Sequence, residues 1–284
     1  MTTNSGKANP DRVVSEGITP FAVASAVRSL GDGTYTANLR PEWAVGNKPH
    51  GGFLLALLGR TALGHLAEHG DRSAEPLAVS AQFLRAPEFG PVLLRADVRK
   101  IGRQATVLAV RLEQRGRSCV EGVVTTGRLP TQRPAWTDAP AVPLAPPADA
   151  VDYAKHETLR VFKLSAGCEI FLDRAMAGFL DGAAEQPPQL RLWTRPRGAQ
   201  PDPLFALVAG DISMPVTFNL GRLGWSPTVQ LTALLRARPA PGWLRVEVAA
   251  RSVHGQWFDS DATVLDSAGQ LVCQARQLAL TPAI

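Results

Sequence analysis

His50-Gly51-Gly52 is the first stretch of this chain whose residue types could do chemistry. A glycine pair that opens an apolar helix leaves backbone N–H groups aimed at whatever approaches, and such groups are donors for an anion. Glycine there lets a carbonyl come close to the backbone, and the oxyanion formed when that carbonyl is attacked is what the donors would stabilise. His50 is either an acid or a cap and substrate contact, and its place between Pro49 and Gly51 favours the binding role. Trp43 and Asn47 precede it in a loop that would line a substrate tunnel or its entrance.

Other reactive types carry less. His65 and His69 have helical i, i+4 spacing, but no third ligand stands near them, so no metal is expected. Cys119, Cys168 and Cys273 lie too far apart for a zinc knuckle or a disulfide framework. Gly224-Trp225-Ser226-Pro227 lacks the second glycine of a Gly-x-Ser-x-Gly elbow, which argues against an α/β-hydrolase. Gly31-Asp32-Gly33 supplies a hairpin turn and not a phosphate loop, and Trp257 reads as core or interface.

Elements that would position such groups follow from periodicity. Phe21 to Arg28 and Thr34 to Leu39 alternate as an opening hairpin. From Gly51 to His69, Phe53, Leu54, Leu57, Leu58, Ala62, Leu63 and Leu66 recur at three and four, which predicts a buried helix. Leu77 to Leu84, Val92 to Lys100, Thr106 to Gln114 and Ser118 to Gly127 predict four strands with Gly- and Pro-containing turns. After a Pro- and Ala-rich stretch the pattern restarts. Leu159 to Leu164 and Leu190 to Thr194 are the expected opening strands, and Pro203 to Pro215 the helix. Thr228 to Arg236, Trp243 to Arg251, Trp257 to Leu265 and Gln270 to Leu280 are the remaining strands.

That restart is a repeat. Gln82-Phe83-Leu84-Arg85-Ala86-Pro87 with Leu93-Leu94-Arg95-Ala96-Asp97-Val98 returns as Ala233-Leu234-Leu235-Arg236-Ala237-Arg238-Pro239 with Trp243-Leu244-Arg245-Val246-Glu247-Val248. A period of this length means two copies of one domain fused in tandem. The expected division is a polar tail at 1–19, a first domain at 20–129, a linker at 130–150 and a second domain at 151–284. With 284 residues, 45% hydrophobic and 19% charged, there is material for two cores. The formal charge of +5 comes from dispersed basic residues, which argues against a nucleic-acid partner and for steering of an anionic small molecule. No apolar run suits a signal peptide or a membrane span, so a cytoplasmic protein without membrane insertion is expected.

The segments Trp43-Ala44-Val45-Gly46-Asn47-Lys48-Pro49-His50-Gly51-Gly52-Phe53, Asp211 in a second-half helix, Pro227-Thr228-Val229-Gln230-Leu231-Thr232 and Gly269-Gln270-Leu271-Val272-Cys273-Gln274-Ala275-Arg276-Gln277 resemble the double-hotdog acyl-CoA thioesterases of the acyl-CoA thioesterase II type. The likeness runs from about Phe21 to the end. It implies an α+β fold of two tandem hotdog domains, each with a long helix on a curved antiparallel sheet. It further implies an acyl-CoA hydrolase of lipid or fatty acid metabolism, with no covalent acyl-enzyme and no cofactor. Its catalytic water would be held by Asp211, Thr228 and Gln277, with His50, Gly51, Gly52 and Asn47 at the oxyanion and substrate. A homodimer or higher homo-oligomer is expected.

Those residue types suit the task. A carboxylate accepts a proton from water, while a hydroxyl and an amide orient that water without competing for the proton. An Asp on a buried helix would be partly desolvated, which raises its pKa toward that of a working base. Under the repeat alignment Thr228 falls on Leu77, Gln277 on Val124 and Asp211 near Arg60 or Thr61, while Gly51-Gly52 falls near Asp202-Pro203. Each half keeps what the other lost, which is what one composite site between unequal halves would leave. Two alternatives stand beside hydrolysis. A non-catalytic acyl-CoA or acyl-carrier binding protein is favoured by Gln230 and Leu231, where better-known members carry an acidic residue and a His. A hotdog enoyl-CoA hydratase is disfavoured by the lack of an Asp/His pair at a helix start.

Overall fold

Period-two alternation gives each half six strands of four residues or more in the computed structural model, which describes residues 20–183 and 185–282. In the first half these are β1 (Arg28–Gly31), β2 (Thr34–Leu39), β3 (Glu75–Phe83), β4 (Gly90–Ile101), β5 (Thr106–Gln114) and β6 (Arg117–Gly127). In the second they are β7 (Cys168–Leu172), β8 (Gln189–Pro196), β9 (Thr228–Leu235), β10 (Leu244–Ala249), β11 (Trp257–Leu265) and β12 (Leu271–Leu280). The expected tail at 1–19 lies outside the described residues.

All twelve join one antiparallel sheet in the order β1-β2-β4-β5-β6-β3-β9-β12-β11-β10-β8-β7. The order is palindromic once each second-half strand is matched to its first-half counterpart. The two halves meet where β3 pairs with β9, with the Ser80 and Thr232 hydroxyls 2.7 Å apart across the junction. This is a double hotdog of α+β class, with the repeat expressed as a pseudo-twofold.

Helix α1 (Pro20–Ala24) precedes the first hairpin, α2 (Gly51–Glu68) fills the concave side of the first half, and α3 (Pro203–Ala209) that of the second. Phe53 to Leu58 of α2 are all at most 2% exposed, as expected for a helix apolar on every side and wedged between sheet and α3. Burying each such side chain stabilises the fold by about 1.5–3 kcal/mol.

Three local expectations are corrected. Phe21 to Arg28 is not a strand: Ser25 folds back, its N–H and Oγ both donating to the Phe21 carbonyl, and this closes the turn of α1. Leu159 to Leu164 is not a strand either. It forms 3-10 turns (Glu157–Val161 and Lys163–Ala166) that send Leu159, Phe162 and Leu164 inward, and the strand begins at Cys168. The second helix is short, stopping at Gly210 well before Pro215, so only the first domain has a long helix. A Cβ at Gly210 would stand 3.0 Å from that of Ala275, so the chain turns there against β12.

The segment between β6 and β7 lies against the convex side of the second half. Trp193 Nε1 donates to the Pro143 carbonyl at 2.8 Å, and buried Arg245 donates to the Val142 and Asp266 carbonyls.

Candidate active site

Two helix starts face each other across the pseudo-twofold. His50 caps α2 by accepting the Phe53 N–H on Nδ1 at 3.2 Å, and Asp202 caps α3 by accepting the Phe205 N–H at 2.6 Å. The β-bulges of β3 and β9 correspond too, falling just after Pro76 and just after Thr228. Caps and bulges require the same displacement, which corrects the sequence alignment by about one residue. The counterpart of Thr228 is Pro76, of Gly52 is Leu204, and of Asp211 is Gly59; Gln277 still matches Val124 through the ladder partners Leu231 and Val79.

This register exposes an exchange of large for small. On one side Gly52 faces Asp211, and a Cβ on Gly52 would stand 2.9 Å from that of Asp211. On the other side Leu204 faces Gly59, and a Cβ on Gly59 would stand 3.0 Å from Leu204 Cδ2. Leu204 fills the space that the carboxylate and its approach occupy in the first position. At the pseudo-equivalent position an apolar contact therefore stands in place of the carboxylate and its N–H donor.

Asp211 lies just past the C-cap of α3 and not within a helix, because the chain has already turned at Gly210. Its Oδ2 accepts the Gly52 N–H at 2.6 Å, and its carbonyl accepts from His50 Nε2 at 2.8 Å. The imidazole thus spends one nitrogen on the cap of α2 and the other on the backbone of the second half. Oδ1 has no partner among the described residues. Burial pushes the Asp211 carboxyl above its usual range, against the opposing pull of His50 and the Gly52 N–H.

Thr228, at the start of β9, donates to Gln277 Oε1 at 2.8 Å, and Gln277 on β12 points its Nε2 at Ser260 Oγ, 3.4 Å away. Asp211, Thr228, Gln277, His50 and Gly51 all line one cavity of about 610 Å³. Its apolar wall comes from both halves, with Leu54, Phe83, Leu84 and Pro87 from the first and Phe162, Phe218, Trp225 and Phe258 from the second. Lys48 and Arg85 are its cations.

The glycine pair divides its labour in a way that spacing did not foretell. The Gly52 N–H is already taken by Asp211, whereas Gly51 lines the cavity and its N–H has no acceptor among the described residues. Asn47 sits exposed between the short strands Ala44–Val45 and Lys48–Pro49 and does not line the cavity. Trp43 is buried, stacked on Phe53 with ring centroids 5.1 Å apart. His65 and His69 flank a separate hollow with Asp32, Glu68 and Asp97, and no metal-binding cluster occurs among the described residues. Sequence reasoning passed over Ser260 and the stretch Phe83 to Pro87. The only signal for Ser260 was a small polar residue at an inward position of an alternating strand.

Comparison with known proteins gives the family. Residues 39–127 match the N-terminal domain of acyl-CoA thioesterases and residues 137–281 the C-terminal domain. Uncharacterized proteins of Mycobacterium tuberculosis and Mycobacterium bovis are 40% identical over 93% of this chain and 98% of theirs. A solved Thermobifida fusca protein, whose name of thioesterase II is provisional, superposes with a TM-score of 0.83 at 28% identity, covering 94% of this chain and 98% of that one. The acyl-CoA thioesterase II TesB2 of Mycobacterium marinum shares the fold at 16% identity and a TM-score of 0.64, covering 94% of this chain and 98% of that one.

Proposed function

The chain belongs to the acyl-CoA thioesterase family, and from that membership we propose that it hydrolyses an acyl-CoA thioester to free acid and CoA by direct attack of water. Water bound at Asp211 Oδ1, with Thr228 and Gln277 fixing its orientation, adds to the thioester carbonyl while Asp211 takes its proton. The carbonyl oxygen gains the negative charge, and the Gly51 N–H at the start of α2 donates to it. Collapse of the tetrahedral intermediate breaks the carbon–sulfur bond and releases CoA thiolate. A thiolate leaves readily near neutral pH, and no group in the site is assigned as its acid. Gly52 serves the base and not the oxyanion.

The observation that carries this reading is the convergence of an elevated carboxyl, a Thr–Gln pair and a free helix-start N–H on one apolar cavity. Its test is thiol release from short, medium, long and aromatic acyl-CoAs. Asp211→Asn should lower kcat by about 10²–10⁴ while acyl-CoA binding and folding persist. Saturable binding with no thiol released from any substrate would overturn hydrolysis and make the chain an acyl-CoA binding protein.

A further inference from the structure

We propose that Ser260 is a positioning residue for Gln277, holding the amide in the orientation that presents it to the attacking water. This rests on the hydrolase reading above and adds a fourth polar group to its machinery.

The internal repeat provides the comparison. Ser260 and Gln277 are direct partners across β11 and β12, and the corresponding partners across β5 and β6 are Leu108 and Val124. Leu108 is wholly buried and Ser260 is 4% exposed. The fold therefore accepts a large apolar side chain at this inward position, and in the second half it holds a hydroxyl instead. A buried hydroxyl costs stability unless it is bonded, and the bond that Ser260 Oγ makes is with Gln277 Nε2 at 3.4 Å.

That contact bears on function through the amide's ambiguity. A carboxamide can turn over and offer N–H₂ where it had offered oxygen. Thr228 donates to Gln277 Oε1. With Ser260 accepting one Nε2 hydrogen, oxygen faces Thr228 and the remaining N–H is free for the cavity. Without Ser260 the amide has one fixed end.

The test is a double-mutant cycle on thiol release, with binding of a non-hydrolysable acyl-CoA thioether and thermal melting as controls. Ser260→Ala should lower kcat about five- to tenfold, the worth of one net hydrogen bond, with KM, thioether affinity and Tm nearly unchanged. Ser260→Thr, which keeps the hydroxyl and adds a single methyl group, should restore most of the rate. In a Gln277→Ala background Ser260→Ala should do nothing further. A kcat that is unchanged, or that falls equally in both backgrounds, overturns this assignment while leaving hydrolysis intact. A wild-type chain that binds the thioether but releases no thiol from any acyl-CoA overturns the hydrolase reading and this assignment with it.

Discussion

At the scale of single residues the site turns on how one carboxyl is treated by its surroundings. Burial pushes the Asp211 carboxyl up, while His50 and the Gly52 N–H, donating at 2.6 Å, pull it down. The rise wins. Water cannot solvate the ionised form freely, so this Asp is a stronger base than an exposed one would be. Because the folded-state pKa lies above the unfolded value of about 3.9, the stabilising contribution is complete below that value and is lost as pH rises through the folded pKa. Two consequences are measurable on one protein. Thiol release should increase with pH through a midpoint above about 3.9 and follow a single ionisation, and Asp211→Asn should remove that limb. In melts across the same range, Asp211→Asn should equal the wild type near pH 4 and exceed it near neutrality, as expected when a costly ionisation is removed and Oδ1 of asparagine can still accept the Gly52 N–H. An Asp211→Asn protein less stable than wild type at neutral pH would mean that the carboxylate is a net structural bond.

At the scale of elements, the site depends on how closely two helix ends approach. Gly52 is required by contact and not by dihedral angle, since a Cβ there would stand 2.8 Å from the Leu207 carbonyl and 2.9 Å from Asp211 Cβ. Gly52→Ala should therefore cost about 1–3 kcal/mol in urea denaturation and should lower kcat more than KM, because what yields is the seat of the base. Equal stability and rate would show that α2 and α3 slide apart freely. The same contact marks the limit of what the sequence disclosed. Long alternating strands and the three-and-four period of α2 were readable because each is a local pattern. The 3-10 turns around Leu159 and Phe162 were not, since their period of three over so few residues imitates alternation. The end of α3 at Gly210 depends on β12 lying across it, so Asp211 could be named from resemblance but not placed. The pairing of Thr228 with Pro76 instead of Leu77 depends on a bulge in each half, which adds a residue that no side-chain pattern records. That the Gly52 N–H is occupied was hidden for a similar reason: its acceptor, Asp211, comes from the other half of the chain.

At the scale of the whole molecule, the exchange of Gly52 and Asp211 for Leu204 and Gly59 makes the halves interdependent. On the proposed mechanism the first half supplies the unpaired N–H and the glycine that admits the carboxylate; the second supplies the carboxylate, the hydroxyl and the amide. Neither holds a complete site. Each also leaves its inner strand, β3 or β9, with an unpaired edge when its partner is absent, and the face of α2 that packs on α3 would meet water. Divided at Trp136, a position 77% exposed, the two pieces expressed separately should be poorly soluble or self-associate through β3 and β9, and neither should release thiol. Co-expressed, they should associate in a one-to-one ratio, with the same assembly mass as the undivided protein, and recover turnover, and the recovery should vanish when the second piece carries Asp211→Asn. Turnover by the first piece alone would contradict a composite site outright. A soluble, active second piece would show that the glycine turn of α2 contributes packing and no chemistry, which would assign the oxyanion donor to the second half as well.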